Sequence, residues 1–292
     1  SLGSGGARGA GKSGGGVDKR MIKVQIPNFD LSQICASGQC FRMRETEPGH
    51  FTVPAGDRCV RIVQEGEICE FDCGEGEFED FWKPYFDLDQ DYGAYIEKIN
   101  PRDSYLITAA DRGSGIRILR QDLWETIVSF LISQQNHIGR IRRCIENICT
   151  EYGSAQESPW GEAYYGFPQP ETLAGLPEDA LKACNLGYRS KYVVRAARSA
   201  ASKEIDLEAV SRMPYKKARE ELMNLYGVGG KVADCICLFA LHHLEAFPVD
   251  THIRQAMERH YRRGFPNRRY RGFQGVMQQY IFYYELTGST AD

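Results

Sequence analysis

The 292-residue sequence has no long uncharged apolar run. Its longest stretch without Asp, Glu, Lys or Arg is Thr126–Gly139, 14 residues, and two glutamines, an asparagine and a histidine interrupt it. A membrane-spanning helix needs about 20 apolar residues, so no span and no membrane partner are expected. The N-terminus shows no apolar segment behind a basic start, so no secretory signal is expected. None of the ten cysteines forms a Cys-x-x-Cys pair, and none follows Cys237. That excludes a C-terminal four-cysteine iron–sulfur loop. Without a secretory signal the thiols read as reduced, in an intracellular protein. Net positive charge is missing as well. The formal charge is −3, which taken globally argues against a nucleic-acid footprint. The charge is segregated, however. Glu65–Asp91 holds 11 acids against Lys83 alone, and Arg254–Arg271 holds seven arginines against Glu258 alone. A polyanion site is therefore expected in the second half.

What is present is an ordinary globular composition, 42% hydrophobic and 26% charged, in a length that suits one or two domains. Residues 1–16, eight of them glycine, look like an expression leader. Residues 17–105 read as a β-rich N-terminal domain. Met21–Ile26, Gln39–Met43, Phe51–Val53, Cys59–Val63 and Ile68–Phe71 are short runs parted by Gly, Pro and Asp, the spacing of an antiparallel meander. Residues 106–292 read as a helical domain. Asp122-Leu-Trp-Glu125 is a capping box before an apolar run, and Ile138–Tyr152 repeats Ile141, Cys144, Ile145 and Ile148 on one face. Further helices fit Glu178–Cys184, Arg189–Ser202, Tyr215–Asn224, Lys231–His242, Thr251–Tyr261 and Gln274–Leu286, with a connector over Pro168–Pro177. The fold class is α+β, an antiparallel sheet followed by an all-helical part.

Chemistry concentrates in two segments. Leu225-Tyr-Gly227-Val-Gly229-Gly230-Lys231 joins two helical patterns. Its glycines permit a tight turn, and the turn feeds a helix N-terminus whose free N–H groups favour a phosphate. The plainer reading is a helix–helix turn without a ligand. Lys231 then opposes the dipole of its own helix, an unfavourable placement unless it serves chemistry. The dipole and partial burial favour the neutral, nucleophilic amine, against the alternative of a lysine snorkelling at a helix start. Cys235 and Phe239 follow on the same face, and Cys235 and Cys237 read as core. In Phe247-Pro-Val-Asp250-Thr-His252, Asp250 is a preferred N-cap. It is also a carboxylate able to handle a proton or to stabilise a cationic sugar. His252 is a phosphate donor or a surface histidine.

L-x-G-V-G-x-K, then V-A-D-C-I-C-L and P-V-D-x-H, is similar to the helix-hairpin-helix–GPD superfamily of DNA glycosylases, and nearest to the 8-oxoguanine DNA glycosylase family. Ser37-Gly38-Gln39-Cys40-Phe41-Arg42, Asn185-Leu-Gly-Tyr188-Arg189 and the helix Gly275–Phe282 resemble further segments of that family, in order along the chain. The resemblance implies a bifunctional glycosylase and β-lyase. It acts on double-stranded DNA and releases 8-oxoguanine, preferably opposite cytosine, as a monomer located with DNA inside the cell. By the same resemblance Lys231 is the nucleophile at C1′ and forms a Schiff base, and Asp250 is the catalytic carboxylate. The Gly38 carbonyl accepts the N7–H that 8-oxoguanine has and guanine lacks. Gln278 reads the Watson–Crick edge, Phe282 and Cys235 sandwich the flipped ring, and Phe239 lines the pocket. Tyr188 is the wedge in the vacated stack, and Arg140 and Arg189 are donors to the orphaned cytosine. His252 and the Gly227–Lys231 backbone, Gly229 included, contact phosphate. Gln135 stands where family members carry an asparagine that fills the gap, which leaves the opposite-base preference open. No redox or metal cofactor is required, and a structural cation held by carbonyls near Gly227 is compatible with the motif. Two rival readings are a related glycosylase for another damaged base and a non-catalytic hairpin module that binds DNA. Gly38, Gln278 and Phe282 argue against the first, and Lys231 paired with Asp250 against the second.

Overall fold

A computed structural model describes residues 21–288. The Gly-rich residues 1–16, and residues 17–20 of the expected β-rich part, lie outside the described residues. Five strands form one antiparallel sheet: β1 (Met21–Gln25), β2 (Arg44–Glu47), β3 (His50–Ala55), β4 (Arg58–Glu65) and β5 (Ile68–Asp72), in the order β1-β5-β4-β3-β2. β1, β3, β4 and β5 fall on expected runs, with β3, β4 and β5 paired in sequence as a meander and β1 added beside β5, while β2 lies just beyond the expected run Gln39–Met43. Cross-strand partners such as Phe51↔Ile62 and Val53↔Val60 put apolar side chains opposite each other on β3 and β4. That face covers a core with Phe71, Trp82 and Phe86.

The part expected to be all-helical holds a small two-stranded antiparallel ribbon, β6 (Ala155–Glu157) with β7 (Ala163–Tyr165), whose turn is closed by Gly161 N–H donating to the Ser158 carbonyl. In the N-terminal part the strands end at Asp72. The short helices Leu31–Ala36 and Tyr92–Glu97 and the helical run Glu75–Tyr85 fill the remainder. Gln39–Met43 is not a strand. Its apolar alternation reflects two destinations: Cys40 and Met43 enter the core under the sheet, while Phe41 enters the helical core. The reverse exchange also occurs, because Leu119, from the stretch expected to be helical, packs under the sheet.

Helices make up most of the rest, confirming the α+β class. Leu123–Ile132 is buried along nearly its whole length and passes through the middle of the larger core. Around it lie Ile138–Tyr152, Arg189–Ala201, Tyr215–Met223, Gly230–Phe239, Thr251–His260 and Gln274–Gly288. The segment 178–184 tightens into a 3-10 turn over Ala180–Cys184, and the connector near residue 170 holds the short helix Pro170–Ala174. The helix expected to reach His242 stops at Phe239. His242 turns into the left-handed region at φ +57 and meets the buried Asp87 carboxylate at 3.2 Å, which takes the chain off the helix axis. All ten cysteines are free and buried. No helix of the described residues is long and apolar enough to cross a membrane.

Candidate active site

The hairpin is made by Tyr215–Met223 and Gly230–Phe239. Asp234 ties its two arms together, accepting from Tyr215 Oη and, at 3.0 Å, from Arg219 Nε. Gly227 has φ +87, and a Cβ there would stand 2.8 Å from Cγ of Tyr192, so the turn lies directly on that ring. Gly229 is the N-cap of the second helix and offers no side chain. A Cβ at Gly229 would meet nothing within 4 Å. The helix N-terminus is therefore open, with backbone N–H groups free for an anion. The Gly227 carbonyl accepts from Gln134 Nε2 at 3.0 Å, so one of the carbonyls that a hairpin cation would use already has a partner. Among the described residues no group of three or more His, Cys, Asp or Glu side chains is arranged to hold a metal.

Lys231 is the second residue of this helix, half-buried, with Nζ 5.9 Å from the centre of the Phe130 ring. Phe130 stacks on Phe239 at 5.5 Å and meets Phe41 edge-on at 5.7 Å, giving the amine an aromatic floor. One turn on, Cys235 is buried. Burial pushes its thiol up to about 11, against the lowering effect of Lys231. It stands as a neutral, apolar wall.

Asp250 faces the same space from the start of Thr251–His260. It is the N-cap: Oδ1 accepts from the Ile253 N–H at 2.8 Å. Oδ2 lies 3.1 Å from His252 Nδ1, and the His252 ring meets Phe282 edge-on at 5.7 Å. The two catalytic candidates thus start two different helices and line one cleft of about 840 Å³. That size falls within the usual range of ligand sites.

Gly38, Gln135, Gly229, Phe239, Gln278 and Phe282 line the cleft with them, as do Cys235 and His252. Gly38 has φ +75, and a Cβ there would come within 2.9 Å of Phe282 Cε1, so backbone alone fits against the ring. Gln278 is buried, and its Nε2 donates to the Pro248 carbonyl at 2.9 Å.

Tyr188, Arg140, Arg189 and Gly227 stand off the cleft. Tyr188 is exposed, and its hydroxyl donates to Gln135 Oε1 at 3.1 Å, linking it to the rim. Arg140 is half-buried and donates to the Asn185 carbonyl at 2.9 Å. Arg189 is buried instead, with donors directed at the carbonyls of Gln134, Gln135 and Leu186. Here it braces the loop that carries Gln135, a residue held at φ +46.

Several supporting residues escaped the sequence reading. Gln39 is buried; its amide donates to Arg117 O and accepts from Leu119 N, which fixes the loop next to Gly38. Arg42 pairs with Glu125 at 3.2 Å across the two cores. Glu125 is the acid of the expected capping box. Its N–H does bond Asp122, but its side chain is turned to Arg42. His137 caps Ile138–Tyr152 through Nδ1, and Arg254 adds a cation to the cleft wall. A Gln and an Arg three residues apart in S-G-Q-C-F-R were the available signal.

The family model of the 8-oxoguanine DNA glycosylase N-terminal domain matches residues 21–127, and that of HhH-GPD superfamily base excision DNA repair proteins matches residues 128–268. The N-glycosylase/DNA lyase of Saccharomyces cerevisiae is 34% identical over 82% of this chain and 70% of its own length. The probable N-glycosylase/DNA lyase of Methanothermobacter thermautotrophicus is 33% identical over 81% of this chain and 84% of its own. Among solved structures, the Clostridium acetobutylicum 8-oxoguanine glycosylase/lyase, in complex with duplex DNA carrying cytosine opposite 8-oxoguanine, superposes with a TM-score of 0.86. It is 35% identical, covering 93% of this chain and 97% of that one.

Proposed function

Because the chain belongs to the N-glycosylase/DNA lyase family, with an 8-oxoguanine DNA glycosylase N-terminal domain joined to an HhH-GPD module, we propose that it excises 8-oxoguanine from duplex DNA and then cleaves the strand. The observation that carries this reading is that Lys231 and Asp250, each at a helix start, line one cleft with Gly38, Cys235, Gln278 and Phe282. A non-catalytic DNA-binding module has no use for that pair.

A base inside a duplex is out of reach, so the nucleotide is extruded at a cost of a few kcal/mol. Exposed Tyr188 fills the vacated stack, and Arg140 and Gln135 stand beside it for the orphaned cytosine. The open helix start at Gly229 and His252 take backbone phosphate. In the cleft, the base lies between Phe282 and the Cys235 thiol. The Gly38 carbonyl accepts N7–H of the lesion. Guanine presents a lone pair there, and two facing acceptors out of water are costly.

Lys231 Nζ, as the free amine, gives its lone pair to C1′. The N9–C1′ bond breaks, its electrons leave with the base, the base gains a proton and the amine loses one. The Asp250 carboxylate stabilises the positive charge that develops on the sugar. Opening of the C1′–O4′ bond gives the Schiff base. Loss of a C2′ proton then expels the 3′ phosphate by β-elimination. No step calls for a metal or redox cofactor. The protein works as a monomer on DNA, within the cell.

Borohydride trapping on a duplex with one 8-oxoguanine opposite cytosine tests the proposal. Wild type is expected to give a covalent adduct, and Lys231→Gln none. Duplex binding with neither adduct nor free base would overturn it. The same assay opposite A, G and T measures how far Gln135 relaxes the opposite-base preference.

A further inference from the structure

Gln278 has a neighbour whose placement is costly and otherwise unexplained. Gln279 is 2% exposed, and its Nε2 donates to Gln278 Oε1 at 3.1 Å. Its own Oε1 is buried with no hydrogen-bond partner among the described residues. Native proteins rarely leave such a group unpaired, and the exceptions call for a reason.

The reason lies in the order of the contacts. The Pro248 carbonyl can only accept, so the NH2 end of Gln278 must face it, at 2.9 Å. That leaves Gln278 Oε1 facing Gln279, which must therefore present its own NH2. Rotating the Gln279 amide to satisfy its carbonyl would set oxygen against oxygen. The orphaned Oε1 is the consequence of a chain of donors and acceptors that runs one way from Gln279 to Pro248.

We propose that Gln279 is a specificity-determining residue that locks the Gln278 amide in the orientation reading a 6-oxo purine. This rests on the function proposed above. A 6-oxo purine edge presents an acceptor at O6 and a donor at N1–H, matching an amide NH2 and C=O in one order. A 6-amino purine presents a donor at N6 and an acceptor at N1, and needs the reverse order. An amide free to flip serves both edges. The Gln279 donor and the Pro248 acceptor together hold it to one. Selection at Gly38 concerns the oxidised C8 side of the base. This second lock concerns the opposite edge, and separates 8-oxoguanine from 8-oxoadenine.

The test compares single-turnover release of 8-oxoguanine and of 8-oxoadenine, each opposite cytosine, by wild type and by Gln279→Met, which keeps length and loses the donor. Cleavage at a preformed abasic site, which has no base to read, reports folded and active protein. The ratio of the two release rates is expected to fall about tenfold in Gln279→Met, the effect of one lost hydrogen bond out of water. A ratio within about twofold of wild type, with abasic cleavage intact, would overturn the lock. Hydrogen exchange of the two side-chain amides in the wild-type protein needs no substitution. Slow exchange of both is expected, and exchange at the rate of exposed glutamines would also overturn it. If wild type releases no 8-oxoguanine, the parent proposal fails instead.

Discussion

Replacing Asp250 by asparagine separates two tasks of one carboxylate. Oδ1 caps Thr251–His260 at 2.8 Å from the Ile253 N–H, and Oδ2 contacts His252. Asparagine keeps an oxygen for the cap and ranks level with aspartate there, whereas alanine removes it at about 0.5–2 kcal/mol. What asparagine loses is charge. Against the helix dipole that amounts to about 0.3–1 kcal/mol, or about 1–4 °C in melting temperature. Against a cationic sugar it is larger. The side chain is only 22% exposed, so an effective dielectric of about 20 applies, and a unit charge about 4 Å away is then worth about 4 kcal/mol. That is roughly a thousandfold in rate. Thermal denaturation and single-turnover excision from an 8-oxoguanine duplex read both terms. Asp250→Asn should melt within about 4 °C of wild type and excise roughly a thousandfold more slowly. Asp250→Ala should be slow and unstable together. Excision by the asparagine variant within about tenfold of wild type would refute the electrostatic reasoning and leave Asp250 a cap alone.

Gly38→Ala forces an L-residue to φ +75 and a methyl to 2.9 Å from Phe282. A loss of about 1–2 kcal/mol in stability is expected, with slowed 8-oxoguanine release and unimpaired abasic cleavage; equal release from both proteins would remove Gly38 from base selection. Gly227→Ala presses on the Tyr192 ring from 2.8 Å. It should lower duplex affinity in a filter-binding titration, and unchanged affinity would show that the hairpin backbone does not set binding. Cys235, its thiol held up at about 11 mainly by burial, should react slowly with iodoacetamide near neutral pH. Labelling as fast as that of a free thiol would contradict its burial. Burial alone would raise the Asp87 carboxyl, but the bonds from His242 and Tyr92 and the Arg120 charge hold it below the ordinary carboxylate range. A carboxyl depressed on folding adds stability that is full above its unfolded pKa of about 3.9 and is lost as pH falls through the folded value. The stability gap between wild type and Asp87→Asn should therefore close as pH drops below about 4, and a gap independent of pH would sink this account.

Much of this was legible in the sequence because several local rules agreed at the same place. Glycines before Lys231 end one helix and start another, and an N-capping aspartate in P-V-D-x-H marks a third start, so spacing alone places Lys231 and Asp250 at helix N-termini. Ile138–Tyr152 was readable to the residue, since its apolar period and its flanks coincide. Alternation in Gln39–Met43 reads as the two faces of one sheet, whereas its side chains enter two cores. Leu31–Ala36 is too short for periodicity to show, and only its Asp30 cap betrays it. The supports of the site were invisible for a different reason. Gln39 with Leu119 and Arg42 with Glu125 are paired across about 80 residues, and nothing local announces such a pair. Arg189, expected to face the partner strand, is instead drawn inward by three carbonyls of which its own segment supplies only one.

The crossing of Phe41 and Leu119 between the two cores has a bearing on how this enzyme would fail. On the proposed assignment, the carbonyl that tells damaged from intact guanine is carried by the sheet side, and the amine that severs the sugar by the helical side. A stress that loosened only the sheet would leave an intact cutting tool with a blunted sense of what to cut. Fidelity would decay ahead of turnover, and the cell would meet a mutator before it met a dead enzyme. Gln39, Arg42 and the exchanged Phe41 and Leu119 act against that order of events, binding judgement and blade into one cooperative unit.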